Sequence, residues 1–186
     1  MNTLSYGLLA FLAREPSSGY DVMLKIQPIW QAKHSQIYPL LAQMEEKEFL
    51  TSHWVKQSEK PDKKIYSITD SGIRKLKEWM YMPLPDPVTR DELSMKTFCM
   101  WLTDRDNAID IVETRRVYFT RRLESFHKMM ESIPEEKRVF GHREFYDYIL
   151  IQKGIFNATA GKDWCEWVLG MLREQQAKEA PAQTVN

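Results

Sequence analysis

Few residues in this chain are placed to make or break a covalent bond. The four histidines, His34, His53, His127 and His142, are scattered, and no two share the i, i+4 spacing of a helical metal pair. Cys99 and Cys165 have no neighbouring His to activate a thiolate, so both read as small hydrophobes. The doublets Glu45-Glu46 and Glu135-Glu136 fit solvated helix faces, and no glycine-rich phosphate loop occurs. No catalytic residue, metal or cofactor is expected, and the chain does not read as an enzyme. The chemistry on offer is recognition of a polyanion. Lys33, His34, Ser35, Gln36 and Tyr38 crowd together, and Lys60, Lys63 and Lys64, with Lys56, flank a second polar segment. Such residues suit a nucleic-acid groove: helix N–H groups and Lys33 take phosphates, while Gln36 reaches base edges.

Composition sets the limits on this reading. At 186 residues, with 43% hydrophobic and 28% charged residues, the chain has material for one large or two small soluble domains. The formal net charge is +0, so any attraction to nucleic acid must come from a local patch. Two cysteines make no disulfide framework. With no signal-like N-terminus and no long apolar run, the expectation is a reducing cytoplasm and no membrane.

The elements that would position the polar cluster are short helices. Residues 3–13 form one, and Glu15-Pro16-Ser17-Ser18-Gly19 is a turn that caps a second over 19–26. The third carries Ile37, Leu40, Leu41, Met44 and Phe49 on its buried stripe. It is expected to begin near Ser35, which puts Pro39 in the first turn, where a missing N–H costs little. Strands follow over 51–57 and 64–68, joined by a turn around Pro61-Asp62, and Thr69 caps a helix over 70–82. Helix, helix, helix, strand, strand, helix is the winged-helix order, with the lysine-rich hairpin as wing.

Residues 83–90, with Pro83, Pro85 and Pro87, read as a linker. Beyond it a short helix over 91–102 precedes a long one to about Ser132, capped by Asp104 or Asp106. In the long helix Val112, Phe119, Phe126 and Ile133 recur every seventh residue, a seam close to coiled-coil form that Arg116 interrupts. Pro134 and Gly141 mark breaks. A last helical region over 145–172 contains Gly154 and Gly161, which weaken the case for one straight helix. The tail over 179–186 is expected to fray.

The segments LSYGLLAFL, SSGYDV, AKHSQIYPLL and KKIYSITDSG resemble the PadR family of bacterial transcriptional regulators. The marks of that family stand here as Tyr38-Pro39 and as Tyr66-Ser67-Ile68-Thr69-Asp70-Ser71-Gly72. The resemblance implies a mainly α fold with a small β-hairpin. A winged helix-turn-helix over 1–82 binds operator DNA, and an all-helical domain over 91–178 resembles the longer PadR subgroup, whose C-terminal helices pair between subunits. The dimerisation residues implied are Val112, Phe119, Phe126, Trp167, Val168 and Leu172. Resemblance to phenolic-acid-responsive members suggests a small aromatic effector held by Trp101, Tyr148 and Trp164, with Arg115 or Arg122 for its carboxylate. The expected function is a homodimeric repressor released by that effector. The alternative is a winged helix serving as a protein–protein adaptor, which would not need the basic wing.

Overall fold

Asn2 opens the first helix, α1 (Thr3–Leu12), by accepting from the Ser5 N–H at 2.9 Å. Ser18 does the same for α2 (Gly19–Ile26), accepting from the Asp21 N–H at 3.1 Å. The computed structural model of the chain describes residues 1–58, 61–88 and 90–179, with side chains through 174. It forms two compact units that divide in sequence between Val88 and Thr89.

In the first unit α3 (His34–Glu46) buries Ile37, Leu41 and Met44 against Leu8, Leu9 and Leu12 of α1 and Val22 and Ile26 of α2. Pro39 lies in the second turn of α3 rather than the first, because the helix begins at His34. Its missing N–H therefore leaves the Ser35 carbonyl without the usual helical partner. Strands β2 (Leu50–Val55) and β3 (Lys63–Ile68) pair antiparallel, from Leu50 opposite Ile68 to Val55 opposite Lys63. A third strand, β1 (Ser17–Ser18), pairs with Ile65 and Tyr66 on the other edge of β3, so the hairpin is part of a three-stranded sheet.

The signature around Thr69 and Gly72 closes this unit. Thr69 caps α4 (Asp70–Met80) by accepting from the Gly72 N–H at 3.0 Å, and its hydroxyl donates to the Glu48 carbonyl at 2.7 Å. Gly72 passes so near the turn after α3 that a Cβ would stand 2.4 Å from the Phe49 carbonyl oxygen. Only glycine permits that approach. Tyr66 is buried on the sheet face that meets the helices.

Pro83–Val88 has no regular secondary structure. In the second unit α5 (Glu92–Phe98) ends at Cys99, and residues 100–102 form a 3-10 turn instead of continuing the expected helix. Asp104, not Asp106, caps α6 (Arg105–Glu131), accepting from the Asn107 N–H at 2.8 Å. A single helix, α7 (Arg143–Glu179), runs for 37 residues through both glycines. The glycines are sockets. A Cβ on Gly154 or on Gly161 would lie 2.4 Å from the ring of Phe126 or Phe119, respectively. As α6 advances seven residues α7 retreats seven, so the pairs Phe119–Gly161 and Phe126–Gly154 repeat along an antiparallel seam. Val112 continues it against Cys165 and Leu169, and Ile133 packs with Ile151 at the other end. No helix among the described residues is long and apolar enough to cross a membrane.

Candidate nucleic-acid interface

Burial of Ile37, Leu41 and Met44 fixes the rotation of α3 and leaves the opposite side of its first turns outward. Lys33, His34, Ser35, Gln36 and Tyr38 are all exposed there. Lys33 is the N-cap residue, and its backbone N–H donates to Gln36 Oε1 at 3.0 Å. The Gln36 carbonyl oxygen is thus occupied in fastening the helix start, while its amide NH2 stays available as a donor. That geometry leaves the NH2 to donate to a purine N7 or a carbonyl oxygen, while the two-bond contact with adenine requires Oε1 to accept a second hydrogen bond beside that from Lys33. His34 stacks between Tyr20 (centroids 6.1 Å) and Tyr38 (5.8 Å). Tyr38 lies over Gly19, where a Cβ would come within 2.9 Å of its ring. The three rings form an outward-facing ledge at the positive end of α3.

The wing is organised differently from its sequence reading. Lys63 and Lys64 open strand β3 at the turn end of the hairpin, as read, but both are half-buried there rather than free. Lys63 Nζ stands 2.7 Å from Asp21 Oδ2 on α2, and Lys64 Nζ stands 2.7 Å from Glu45 Oε2 on α3. Hydrogen bonding to these ammonium groups holds the Asp21 and Glu45 carboxyls below their ordinary range and lifts Lys64 above its own. Trp54 is opposite Lys64 in the register and is 66% exposed, and Lys56 is exposed just beyond β2. The exposure of Lys56 agrees with its place beside the turn, whereas the exposure of Trp54 and the two ion pairs depend on partners that no sequence period reveals. Lys60 lies outside the described residues.

In the second unit the expected effector residues do not surround one cavity. Trp164 packs beside Val112 and Cys165, whereas Tyr148 packs beside Phe126 and Ile151. Sixteen residues of one helix separate them, about 24 Å at helical rise. Trp101 is 79% exposed on the 3-10 turn. The Arg115 guanidinium lies 5.5 Å from the Tyr118 ring centroid, and that of Arg122 lies 4.4 Å from Phe126. A shallow groove of about 460 Å³ does run along α7, lined by Tyr148, Ile149, Gln152, Lys153, Phe156 and Asn157. Of these only Tyr148 was singled out from sequence.

The seven-residue seam expected to join two subunits is spent inside one chain. Val112 and Phe126 are buried by α7, and Phe119 and Val168 pack into the same interface. Leu172 is half-buried, and Trp167, 62% exposed, faces outward. The four candidates nearest that inner seam therefore build the helical pair itself. Among the described residues no cluster of His, Cys, Asp and Glu is arranged to hold a metal ion.

Comparison with known proteins places this geometry in context. Residues 8–78 match the family model "Transcriptional regulator PadR-like family", and residues 89–173 match "Virulence activator alpha C-term". The negative transcriptional regulator PadR of Bacillus subtilis is 30% identical over 182 residues, covering 92% of this chain and 98% of the relative. The structure of that B. subtilis regulator in complex with operator DNA has a TM-score of 0.78 at 28% identity, over 92% of this chain and 99% of the other. Its structure in complex with p-coumaric acid has a TM-score of 0.72 at 26% identity, over the same shares.

Proposed function

Because the chain belongs to the PadR-like family of transcriptional regulators, whose members are not enzymes, we propose that it is a homodimeric repressor that reads a palindromic operator and is released by a small aromatic effector. The observation that carries this reading is the outward tip of α3. It is an exposed row of cation, amide, hydroxyl and rings, held in one orientation by a buried aliphatic stripe. The likeness to a B. subtilis structure bound to operator DNA, over nearly the whole of both chains, supports it. On this reading Lys33 and the first-turn N–H groups hold phosphates, Gln36 donates to a base edge, and His34 and Tyr38 pack on the sugar–phosphate edge.

Dimerisation is assigned to the second unit. Phe98, Trp101 and Phe156, each more than 70% exposed, offer apolar ring surface for a partner subunit to cover. Two copies give two reading helices, and half-sites one helical turn apart, about 34–36 Å, set their spacing. The effector is assigned to the α7 groove, where Tyr148 and Phe156 offer ring faces and Lys153 a cation for a carboxylate. To regulate, it must favour the DNA-incompetent arrangement, and operator must then weaken effector binding by the same factor.

A gel shift of the full chain on the duplex upstream of its own gene, with sedimentation of the free protein, tests the reading. A shifted complex that survives excess unrelated DNA, formed by a dimer, is expected. Equal competition by unrelated DNA refutes operator recognition, and a monomer at micromolar concentration refutes the dimer.

A further inference from the structure

Two carboxylates of the DNA-binding unit have no role in the reading above. Asp21 and Glu45 stand on α2 and α3, the helices that approach the duplex, and a negative charge there is repelled by phosphate. Both are engaged by the wing. Consecutive strand residues point to opposite faces, so the pairs Lys63–Asp21 and Lys64–Glu45 grip β3 from its two sides. A hydroxyl orients each acid as well: Ser18 donates to Asp21 at 2.9 Å, and Ser52 donates to Glu45. Lys64 is further held 5.1 Å from the Tyr66 ring centroid. The two ion pairs join residues from three elements, unlike the exposed pairs within one helix such as Lys96–Glu92.

We infer that Asp21 and Glu45 are positioning residues for DNA binding, which clamp the wing onto α2 and α3 and withhold Lys63 and Lys64 from the phosphates. The inference rests on the DNA-binding reading. A lysine already neutralised by a carboxylate displaces little of the counterion atmosphere when DNA arrives, so it adds little sequence-independent affinity. The base contacts of α3 keep their full effect, and the ratio of operator to bulk affinity rises. The wing lysines thus act as a hinge pin between wing and reading helix, not as two more phosphate contacts.

The salt dependence of binding separates these roles. The full chain is titrated onto a labelled mixed-sequence duplex of about 30 base pairs, by fluorescence anisotropy, between about 50 and 200 mM KCl. Asp21→Asn and Glu45→Gln each keep the side chain's shape and free one lysine. Each is expected to steepen the log K against log salt slope by about 0.9 and to tighten mixed-sequence binding several-fold at the low-salt end. Adding Lys63→Ala to Asp21→Asn returns the slope to that of the unaltered chain. Glu46→Gln removes the same charge from an exposed neighbouring position of α3 without freeing a lysine, and leaves the slope in place. Slopes for Asp21→Asn and Glu45→Gln equal to that of the unaltered chain overturn the clamp while the DNA-binding reading stands. So do slopes that Glu46→Gln reproduces. Failure of the unaltered chain to bind any duplex refutes the DNA-binding reading itself, and the clamp falls with it.

Discussion

Gly154 and Gly170 lie on the same helix, yet replacing each by alanine is expected to move stability in opposite directions. In a helix interior alanine is favoured over glycine by about 1 kcal/mol, because less backbone freedom is lost on folding. A Cβ on Gly170 meets nothing within 4 Å, so Gly170→Ala should stabilise by most of that amount. At Gly154 the added carbon would stand 2.4 Å from Phe126 Cζ and 2.7 Å from both Cε atoms. Carbon atoms pack at about 3.5–4.0 Å, so the ring must retreat by about 1 Å. It has nowhere to go: Phe126 is 6% exposed, and the Arg122 guanidinium lies 4.4 Å from the ring centroid. Overpacking of this kind costs about 1–3 kcal/mol. Set against the propensity gain, the net is a loss of about 1 kcal/mol, or about 2–4 °C in a chain of this size. The two variants should therefore differ by about 2 kcal/mol.

Urea unfolding at one fixed protein concentration measures that difference, since a dimer's midpoint moves with concentration. Gly161→Ala should behave like Gly154→Ala, because Phe119 fills its socket in the same way. Combining the two should cost less than their sum by at least about 0.5 kcal/mol, since either one already spreads α6 from α7. Phe126→Leu in the Gly154→Ala background should recover part of the loss. A Gly154→Ala chain as stabilised as Gly170→Ala would refute the seating of Phe126 on the glycine.

Three further outcomes are expected. Gln36→Ala removes both a helix cap and the donor proposed to meet DNA, whereas Gln36→Glu keeps the acceptor for the Lys33 N–H. Thermal unfolding should find the Glu variant within about 0.5 kcal/mol of the unaltered chain, while operator binding falls by about 1–3 kcal/mol in both; unchanged operator affinity in both excludes a base contact. Gly72→Ala drives a Cβ into the Phe49 carbonyl oxygen, a backbone atom that cannot swing aside, and should lower the melting temperature of the first unit by several degrees; an unchanged melting temperature contradicts the close approach. Asp21 and Glu45 have folded pKa values depressed by Lys63 and Lys64, so their stabilisation is full above the unfolded carboxylate values and is lost as pH falls through the lower folded ones. Melting temperature should be flat from about pH 6 to 8 and drop below about pH 4.5, and the drop should be shallower for Asp21→Asn than for the unaltered chain.

The winged-helix unit was legible because each of its boundaries carries local chemistry. Ser18, one of the two serines that could cap α2, caps it, Thr69 caps α4, and β3 covers the stretch of alternating residues that follows Pro61-Asp62. What escaped was set by partners distant in sequence. Strand β1 is two serines between a proline and a glycine, too short to show any period, and exists only because β3 has a free edge for it. Gly154 and Gly161 looked like weak points of a helix because propensity is a property of one residue alone. Their role depends on Phe126 and Phe119, which arrive from another helix. A signal was present: the phenylalanines and the glycines share a spacing of seven, as facing residues of an antiparallel pair must.

The site was less legible than the fold for a related reason. Sequence shows how many charges a segment carries but not which are already neutralised. Read as a string, Lys63 and Lys64 are two phosphate contacts; in space each faces a carboxylate from a separate helix at 2.7 Å. The same holds for Tyr148 and Trp164, whose types suit an aromatic ligand but which one helix keeps about 24 Å apart. Gln36 is the instructive middle case. Its type and its place at a helix start pointed to base reading, and the place at the helix start is what the structure shows. Yet the same location recruits its carbonyl oxygen to cap the helix, so a base that bonds this oxygen must share it with the Lys33 N–H. A residue that both builds and reads cannot use every atom twice, and that division is set by coordinates and not by composition.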